Sequence, residues 1–168
     1  LPASLIYISD FSFRCCEKLT KIEIPSSVTS IDKGAFYGCK GLTNLVIPSS
    51  VTELGYCAFW GCTGLTSVEI PKMPVIGESA FAKCSGLTSI VIPEGVTEIK
   101  DYAFSDCSGL TSLTLPAGIK KIGERAFDGC EKLTNISFPA KKADYYKKRL
   151  PEYLHQYIVE REPEKKSK

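Results

Sequence analysis

The chain is expected to fold as a mostly β, α/β solenoid. This would be a right-handed stack of coils with one parallel sheet, short strands or turns on the opposite wall, and a C-terminal capping segment. Three observations predict it. The sequence repeats itself in steps of 23 residues. Each unit holds a short alternating apolar run closed by proline. An Ala-Phe pair, followed three residues later by Cys, recurs in the same phase. Self-similarity at such a period marks stacked supersecondary units, each too small to bury its own apolar face. A stack of this kind binds more often than it catalyses.

Aligned on their leucines, the units read LTKIEIPSSVTSIDKGAFYGCKG from Leu19, LTNLVIPSSVTELGYCAFWGCTG from Leu42 and LTSVEIPKMPVIGESAFAKCSG from Leu65. Then come LTSIVIPEGVTEIKDYAFSDCSG from Leu87, LTSLTLPAGIKKIGERAFDGCEK from Leu110 and a closing half unit, LTNISFPA, from Leu133. Within a unit the first apolar residues, such as Leu42, Leu45 and Ile47, give a strand, because the last two alternate with exposed positions. Proline lacks the N–H that a ladder needs, so Pro25, Pro48, Pro71, Pro93, Pro116 and Pro139 end each strand and turn the chain. A second apolar pair, such as Val28 with Ile31 or Val96 with Ile99, forms the opposite wall. Small Ala lets the backbone approach, and Phe36, Phe59, Phe81, Phe104 and Phe127 fill the interior in series.

The unit from Leu65 is one residue short near Lys72, and flexible Met73 fills the altered gap. Read backwards, Pro2, Leu5, Ile8, Phe13 and Cys16 take the Pro, Val, Ile, Phe and Cys positions. Residues 1–140 therefore form the solenoid, with a partial N-terminal coil, five full repeats and a closing half. Leu1-Pro2 matches Ile24-Pro25 in mid-repeat, so the natural N-terminus is expected to lie further upstream. Leu19–Ile24 is expected as an edge strand. Its exposed backbone invites a head-to-head dimer through residues 1–24, although Leu5, Ile8 and Phe13 form a partial lid that favours a monomer.

The Pro, Ala-Phe and Cys positions recurring together resemble the BspA-like leucine-rich-repeat proteins of bacterial surfaces, across residues 1–140. The resemblance implies a secreted or cell-surface adhesion and protein-interaction module with no chemistry of its own. It does not carry over a ligand, because such families share a scaffold rather than a partner.

From Lys141 the pattern changes. Residues 141–159 are expected to cap the stack, with a short helix over Ala143–Arg149 ended or redirected by Pro151. Leu150, Leu154, Tyr157 and Ile158 then line a helical face, or Tyr157-Ile158-Val159 closes the sheet as an extended segment. The basic cluster Lys141, Lys142, Lys147, Lys148 and Arg149 reads as the solvated side of that cap. Residues 160–168 read as a disordered tail.

Charge is divided unevenly: residues 1–140 hold 12 Lys/Arg against 14 Asp/Glu, and residues 141–168 hold 9 against 5. Neither balance is that of a nucleic-acid binder. No apolar run is long enough to span a membrane. Cys16, Cys39, Cys62, Cys84, Cys107 and Cys130 lie on the repeat, at a spacing unlike that of zinc ligands. They read as a ladder of buried free thiols. Cys15 and Cys57 fall off the ladder, and Cys57 reads as an exposed thiol or as bonded to Cys62. His155 is the only histidine and lies outside any triad context. With no phosphate loop and no paired carboxylates, the sequence offers no catalytic, metal or cofactor site. Asn135-Ile136-Ser137 matches a glycosylation sequon inside a strand, where it reads as structure.

Two surfaces remain as candidates for contact. The concave sheet face presents the outward pairs Lys21/Glu23, Asn44/Val46 and Ser67/Glu69, a mildly polar surface without aromatics. On the opposite surface Tyr37 and Trp60 follow the Phe of adjacent units and should stack side by side, with Tyr56 near them. The expected function is non-enzymatic binding or adhesion toward protein or glycan. The alternative is a spacer solenoid that carries another domain.

Overall fold

A computed structural model describes residues 1–161, and the end of the expected tail, 162–168, lies outside the described residues. Numbered in chain order, one wall of the stack holds β3 (Asn44–Val46), β5 (Ser67–Glu69), β7 (Ser89–Val91), β9 (Ser112–Thr114), β11 (Asn135–Pro139) and β12 (Ile158–Arg161). The other wall holds the two-residue strands β1 (Tyr7–Ile8), β2 (Ser30–Ile31), β4 (Glu53–Leu54), β6 (Val75–Ile76), β8 (Glu98–Ile99) and β10 (Lys121–Ile122). All pairings are parallel and join equivalent residues of successive coils, as in Ser89 with Ser112 and Ser112 with Asn135. The protein is thus a mostly β parallel solenoid.

Each coil turns its apolar residues inward, where Val28, Phe36, Leu42, Val96, Phe104 and Leu113 are fully buried. The phenylalanines form one continuous column: successive rings from Phe13 to Phe127 lie 5.0 to 5.6 Å apart and nearly parallel. A third seam, which the sequence does not announce, runs beside that column. The N–H groups of Phe13, Phe36, Phe59, Phe81 and Phe104 each donate to the Ala carbonyl of the next coil at 2.8 Å. This works because the residues two before and two after each Phe are left-handed. Examples are Cys57 (φ 56°) and Gly61 (φ 70°), or Ser79 (φ 54°) and Lys83 (φ 59°). Glycine takes this conformation at no steric cost, whereas Cys57, Ser79 and Lys83 hold it against a penalty of roughly 1–2 kcal/mol each.

The cysteine ladder joins the same seam. Its thiols donate to the Phe carbonyl of the preceding coil, from Cys39 to Phe13 at 2.9 Å and from Cys62, Cys84, Cys107 and Cys130 to their counterparts at 3.2 Å. Small size explains why Cys fits here. Its weak donor explains how a buried carbonyl gains a second partner.

Two expectations change at the sheet. The expected Leu19–Ile24 strand does not form: the segment meets β3 only through Thr20, whose carbonyl accepts from the Thr43 N–H and hydroxyl at 3.4 Å. Among the described residues no coil packs on its far side, and Ile22 and Ile24 stay half-buried. The LTxIxIP wall is one row of parallel strands, but its ladder is interrupted between β5 and β7. The other wall breaks one coil earlier, between β4 and β6. Both breaks bracket Ile70–Pro74, where the short unit has lost its residue. At each break the opposite wall stays paired, β3 with β5 and β6 with β8. The turn seam crosses bonded as well, through Cys57, Phe59 and Gly61 N–H groups donating to Glu78, Ala80 and Ala82 carbonyls at 2.8 to 3.1 Å.

The C-terminal segment is a helix, a turn and a strand. Helix α1 spans Ala143–Lys147, shorter than expected, and a 3₁₀ helix follows over Glu152–Tyr157. Strand β12 then pairs with β11 in register, Ile158 against Ile136. The extended alternative is therefore the one adopted, starting one residue later than Tyr157 and reaching Arg161, past the expected cap boundary. Tyr146, Leu150 and Leu154 are buried against the last coil.

Candidate functional site

Two registers of the repeat build the aromatic surface. The residue after each Phe is Arg14, Tyr37, Trp60, Ala82, Ser105 or Asp128, and the residue three before it is Asp10, Lys33, Tyr56, Glu78, Asp101 or Glu124. The Phe column fixes both rows at one coil step. Tyr37 and Trp60 accordingly lie face to face, ring centres 4.4 Å apart and 8° from parallel. Tyr56 is 49% exposed beside them. Phe11, Arg14, Lys33, Tyr37, Tyr56, Cys57 and Trp60 line a shallow depression of about 390 Å³.

Cations cover the rings. Arg14 lies 5.5 Å from the Tyr37 centre, Lys33 5.8 Å from that of Tyr56 and Lys83 5.0 Å from that of Trp60. Sequence reasoning named the three rings but missed Phe11, Arg14, Lys33 and Lys83. The signal was present for two of them, since Arg14 and Lys33 occupy the Trp60 and Tyr56 registers in the coils before.

The thiol expected to be exposed is not. Cys57 is 7% exposed, and like every other cysteine it forms no disulfide. Its side chain is small enough to sink to the floor of the depression, between Tyr56, Trp60 and Lys33. Burial pushes the Cys57 thiol above its ordinary value, with hydrogen bonds from Tyr56 and Ser79 and the Lys33 charge pulling partly back. The exposed thiols are Cys15 and Cys16. Cys16 therefore leaves the buried ladder, because no earlier coil covers it among the described residues.

On the sheet face Lys21, Glu23, Asn44, Val46, Ser67 and Glu69 are all exposed. Lys21 pairs with Glu23 at 3.1 Å with both side chains about four-fifths exposed, a contact that contributes little. Ser67 donates to Asn44 Oδ1 at 2.7 Å. A second shallow depression, about 430 Å³, opens between residues 20–24 and β3. It follows from the missing strand pairing and has no convergent charged groups beyond the Lys21–Glu23 pair. Among the described residues no helix is long and apolar enough to cross a membrane. No group of three His, Cys, Asp or Glu among them is placed to hold a metal ion.

A stack of 23-residue coils with a Phe column, a thiol ladder and proline-closed strands defines a leucine-rich-repeat solenoid. The chain belongs to the BspA-type leucine-rich-repeat family: the family described as "BspA type Leucine rich repeat region" matches residues 1–108 and 74–150, in six copies. A leucine-rich cell surface protein from Faecalibacterium prausnitzii is similar at 36% identity and a TM-score of 0.71, over 74% of this chain and 33% of its own. A T. pallidum leucine-rich-repeat protein is similar at 38% identity and a TM-score of 0.64, over 70% of this chain and 55% of its own. One from Eubacterium ventriosum matches at 27% identity and a TM-score of 0.68, over 76% of this chain and 41% of its own. The chain thus spans from a third to about half the length of these proteins. No curated protein matches it.

Proposed function

We propose that the chain is a non-enzymatic binding module of a bacterial cell-surface or secreted protein, and that it contacts a protein or glycan through Tyr37, Tyr56 and Trp60. One observation carries the reading. The register that holds Tyr37 and Trp60 holds Ala82, Ser105 and Asp128 in later coils, so the solenoid does not need aromatic rings there. Tyr37 and Trp60 are half-buried and Tyr56 exposed. Large rings that reach the surface without being required for folding are candidates for recognition. The cell-surface location is supported by the family and by the description of the Faecalibacterium prausnitzii protein. The sheet face Lys21/Glu23, Asn44/Val46 and Ser67/Glu69 is the weaker candidate, since it lacks aromatic anchors.

The test is an array of extracellular proteins and glycans probed with the parent chain and with the Tyr37→Ala/Trp60→Ala variant. Signals lost in the variant, with an unchanged circular dichroism spectrum, support the aromatic edge. Signals retained there but lost on Lys21→Ser/Glu69→Ser would move the function to the sheet face. A spacer role is the second reading, favoured by a sheet face that presents small polar residues and no aromatic anchor. It predicts no ligand on the array at all.

A further inference from the structure

We infer that the Tyr37–Trp60 edge takes an acidic polypeptide segment, one that alternates carboxylates with apolar side chains. This rests on the edge being the binding surface proposed above. Arg14, Lys33 and Lys83 are exposed and lie over the rings, yet among the described residues none has a carboxylate within ion-pair distance. Lys21, Lys40, Lys121 and Arg125 each do. A cation resting on a ring keeps its N–H donors, and three such cations in one patch form a receptor for anions.

The stacking order narrows the partner. Arg14 comes from the coil before Tyr37, and Lys83 from the coil after Trp60. Along the stack the sequence is therefore cation, Tyr37, Trp60, cation, and both faces of both rings are taken. A neutral sugar packs its C–H groups flat on a bare ring face, which neither ring offers. A uniformly anionic glycan meets a different obstacle. Asp10 sits at the rim, its carboxylate accepting the backbone N–H of Lys33 at 3.0 Å. Glu78 adjoins the floor, its carbonyl accepting the Cys57 N–H at 3.1 Å. Their carboxylates repel an unbroken run of charge, while a peptide can alternate. Its apolar residues have the exposed parts of Phe11 and Tyr56, 41% and 49% exposed, beside the Arg14 and Lys33 cations that lie over those rings. Rings mixed with arginine are the usual composition of protein-binding hot spots.

Trp60 is the only tryptophan, so its fluorescence reports on this edge alone. The probes are a blocked dodecapeptide of alternating Asp and Leu, its Asn analogue, heparin and maltohexaose. We expect the Asp peptide to shift Trp60 emission, more weakly as salt rises, and the Asn analogue to bind about tenfold less tightly or worse. Arg14→Gln/Lys33→Gln/Lys83→Gln should weaken the Asp peptide by a similar factor without moving the unfolding midpoint, and Lys33→Arg/Lys83→Arg should restore it. If the triple variant does not fold, Lys83→Gln alone is measured against the same criterion. Equal binding of the Asn analogue, or indifference to the charge variants, overturns the inference. A response to heparin or maltohexaose without one to the Asp peptide overturns it too, while leaving the edge as a binding surface. Silence toward all four probes overturns both.

Discussion

The two ends of the stack meet the same problem with different means. Among the described residues a coil at either end has one face with no neighbouring coil, and its apolar residues and backbone carbonyls need cover. At the C-terminal end, Phe127, Leu133, Ile136 and Phe138 are at most 1% exposed. At the N-terminal end Phe13, Leu19, Ile22 and Ile24 are only half-buried, and Cys16 is exposed. The contrast shows what closing a solenoid requires, because the cap reproduces the missing coil contact by contact. Strand β12 takes the place of the next LTxIxI strand. The N–H of Lys120 donates to the Thr97 carbonyl, and where a further coil would donate to the Lys120 carbonyl, Arg149 Nε does so at 3.0 Å. The Phe104 carbonyl accepts from the Cys130 thiol, and the Phe127 carbonyl accepts from the Tyr153 hydroxyl. Tyr145 and Tyr146 donate to the carbonyls of Ile119 and Pro116. Side chains thus supply what a repeat supplies with its main chain.

The largest expected difference lies in the core. Phe127→Ala should destabilise the chain by about 3–5 kcal/mol, because a fully buried ring leaves a cavity under the cap. Phe13→Ala removes the same ring from a half-open site and should cost about 1–2 kcal/mol. Urea unfolding of the two variants measures both. Equal losses would mean that the two ends are equally closed in solution.

Thiol labelling sharpens the comparison without perturbing it. In the native protein Cys15 and Cys16 should react with a chromogenic disulfide reagent within seconds to minutes, while Cys39, Cys57, Cys62, Cys84, Cys107 and Cys130 wait for opening. Mass mapping of the labelled sites reads the outcome directly. Fast labelling at Cys130 would show that the cap frays, and fast labelling at Cys57 would show that the floor of the aromatic depression opens.

Much of this was legible in the sequence, and the illegible part has a common cause. The period, the Phe column, the proline-closed strands and the Tyr37–Trp60 stack all follow from residues repeating in phase. What failed to show depends on which coil lies next door. The segment Leu19–Ile24 has the same pattern as its successors, but among the described residues it lacks a neighbour on one side. The double ladder break follows one missing residue near Lys72, and a count of residues gives the deletion without its effect on both walls. Cys57 resembles an exposed loop residue until Tyr56, Trp60 and Lys33 close over it. Arg149 and Tyr153 lie in a segment with no repeat at all, so their mimicry of a coil is visible only once the carbonyls they reach are in place.

Alkaline titration probes the buried ladder. Burial is the main cause that pushes the Cys39 thiol from 9.0 up to about 12. Cys84 is raised by burial, and Cys107 by its hydrogen bond with Cys130 and by burial. The folded chain keeps these protons where the unfolded chain loses them. The stabilisation is therefore full below pH 9 and declines as pH climbs from 9 toward 12. We expect the unfolding midpoint to fall across that window, with a shallower fall in Cys39→Ala. An identical slope in the parent and in Cys39→Ala would remove that thiol from the account.

The smallest effect tests the mimicry itself. Tyr153 reaches the Phe127 carbonyl and Asp128 Oδ1 at 3.4 Å each, long contacts that hold weak hydrogen bonds. Removing the hydroxyl in Tyr153→Phe should therefore destabilise by no more than about 1 kcal/mol, the range of a single hydrogen bond. The ring has a separate task. Cys130 lies under the same segment and is 6% exposed, so Tyr153→Ala should uncover it and add a third fast-labelling thiol, whereas Tyr153→Phe should not. The pair of variants divides donor from cover. If Tyr153→Phe alone released Cys130, the hydroxyl would be fastening the cap, and its bond to Phe127 would carry more than its length suggests. If neither variant did, the cover over the last coil would belong to Leu150, Leu154 and β12, and Tyr153 would be a surface residue that happens to lie near a free carbonyl.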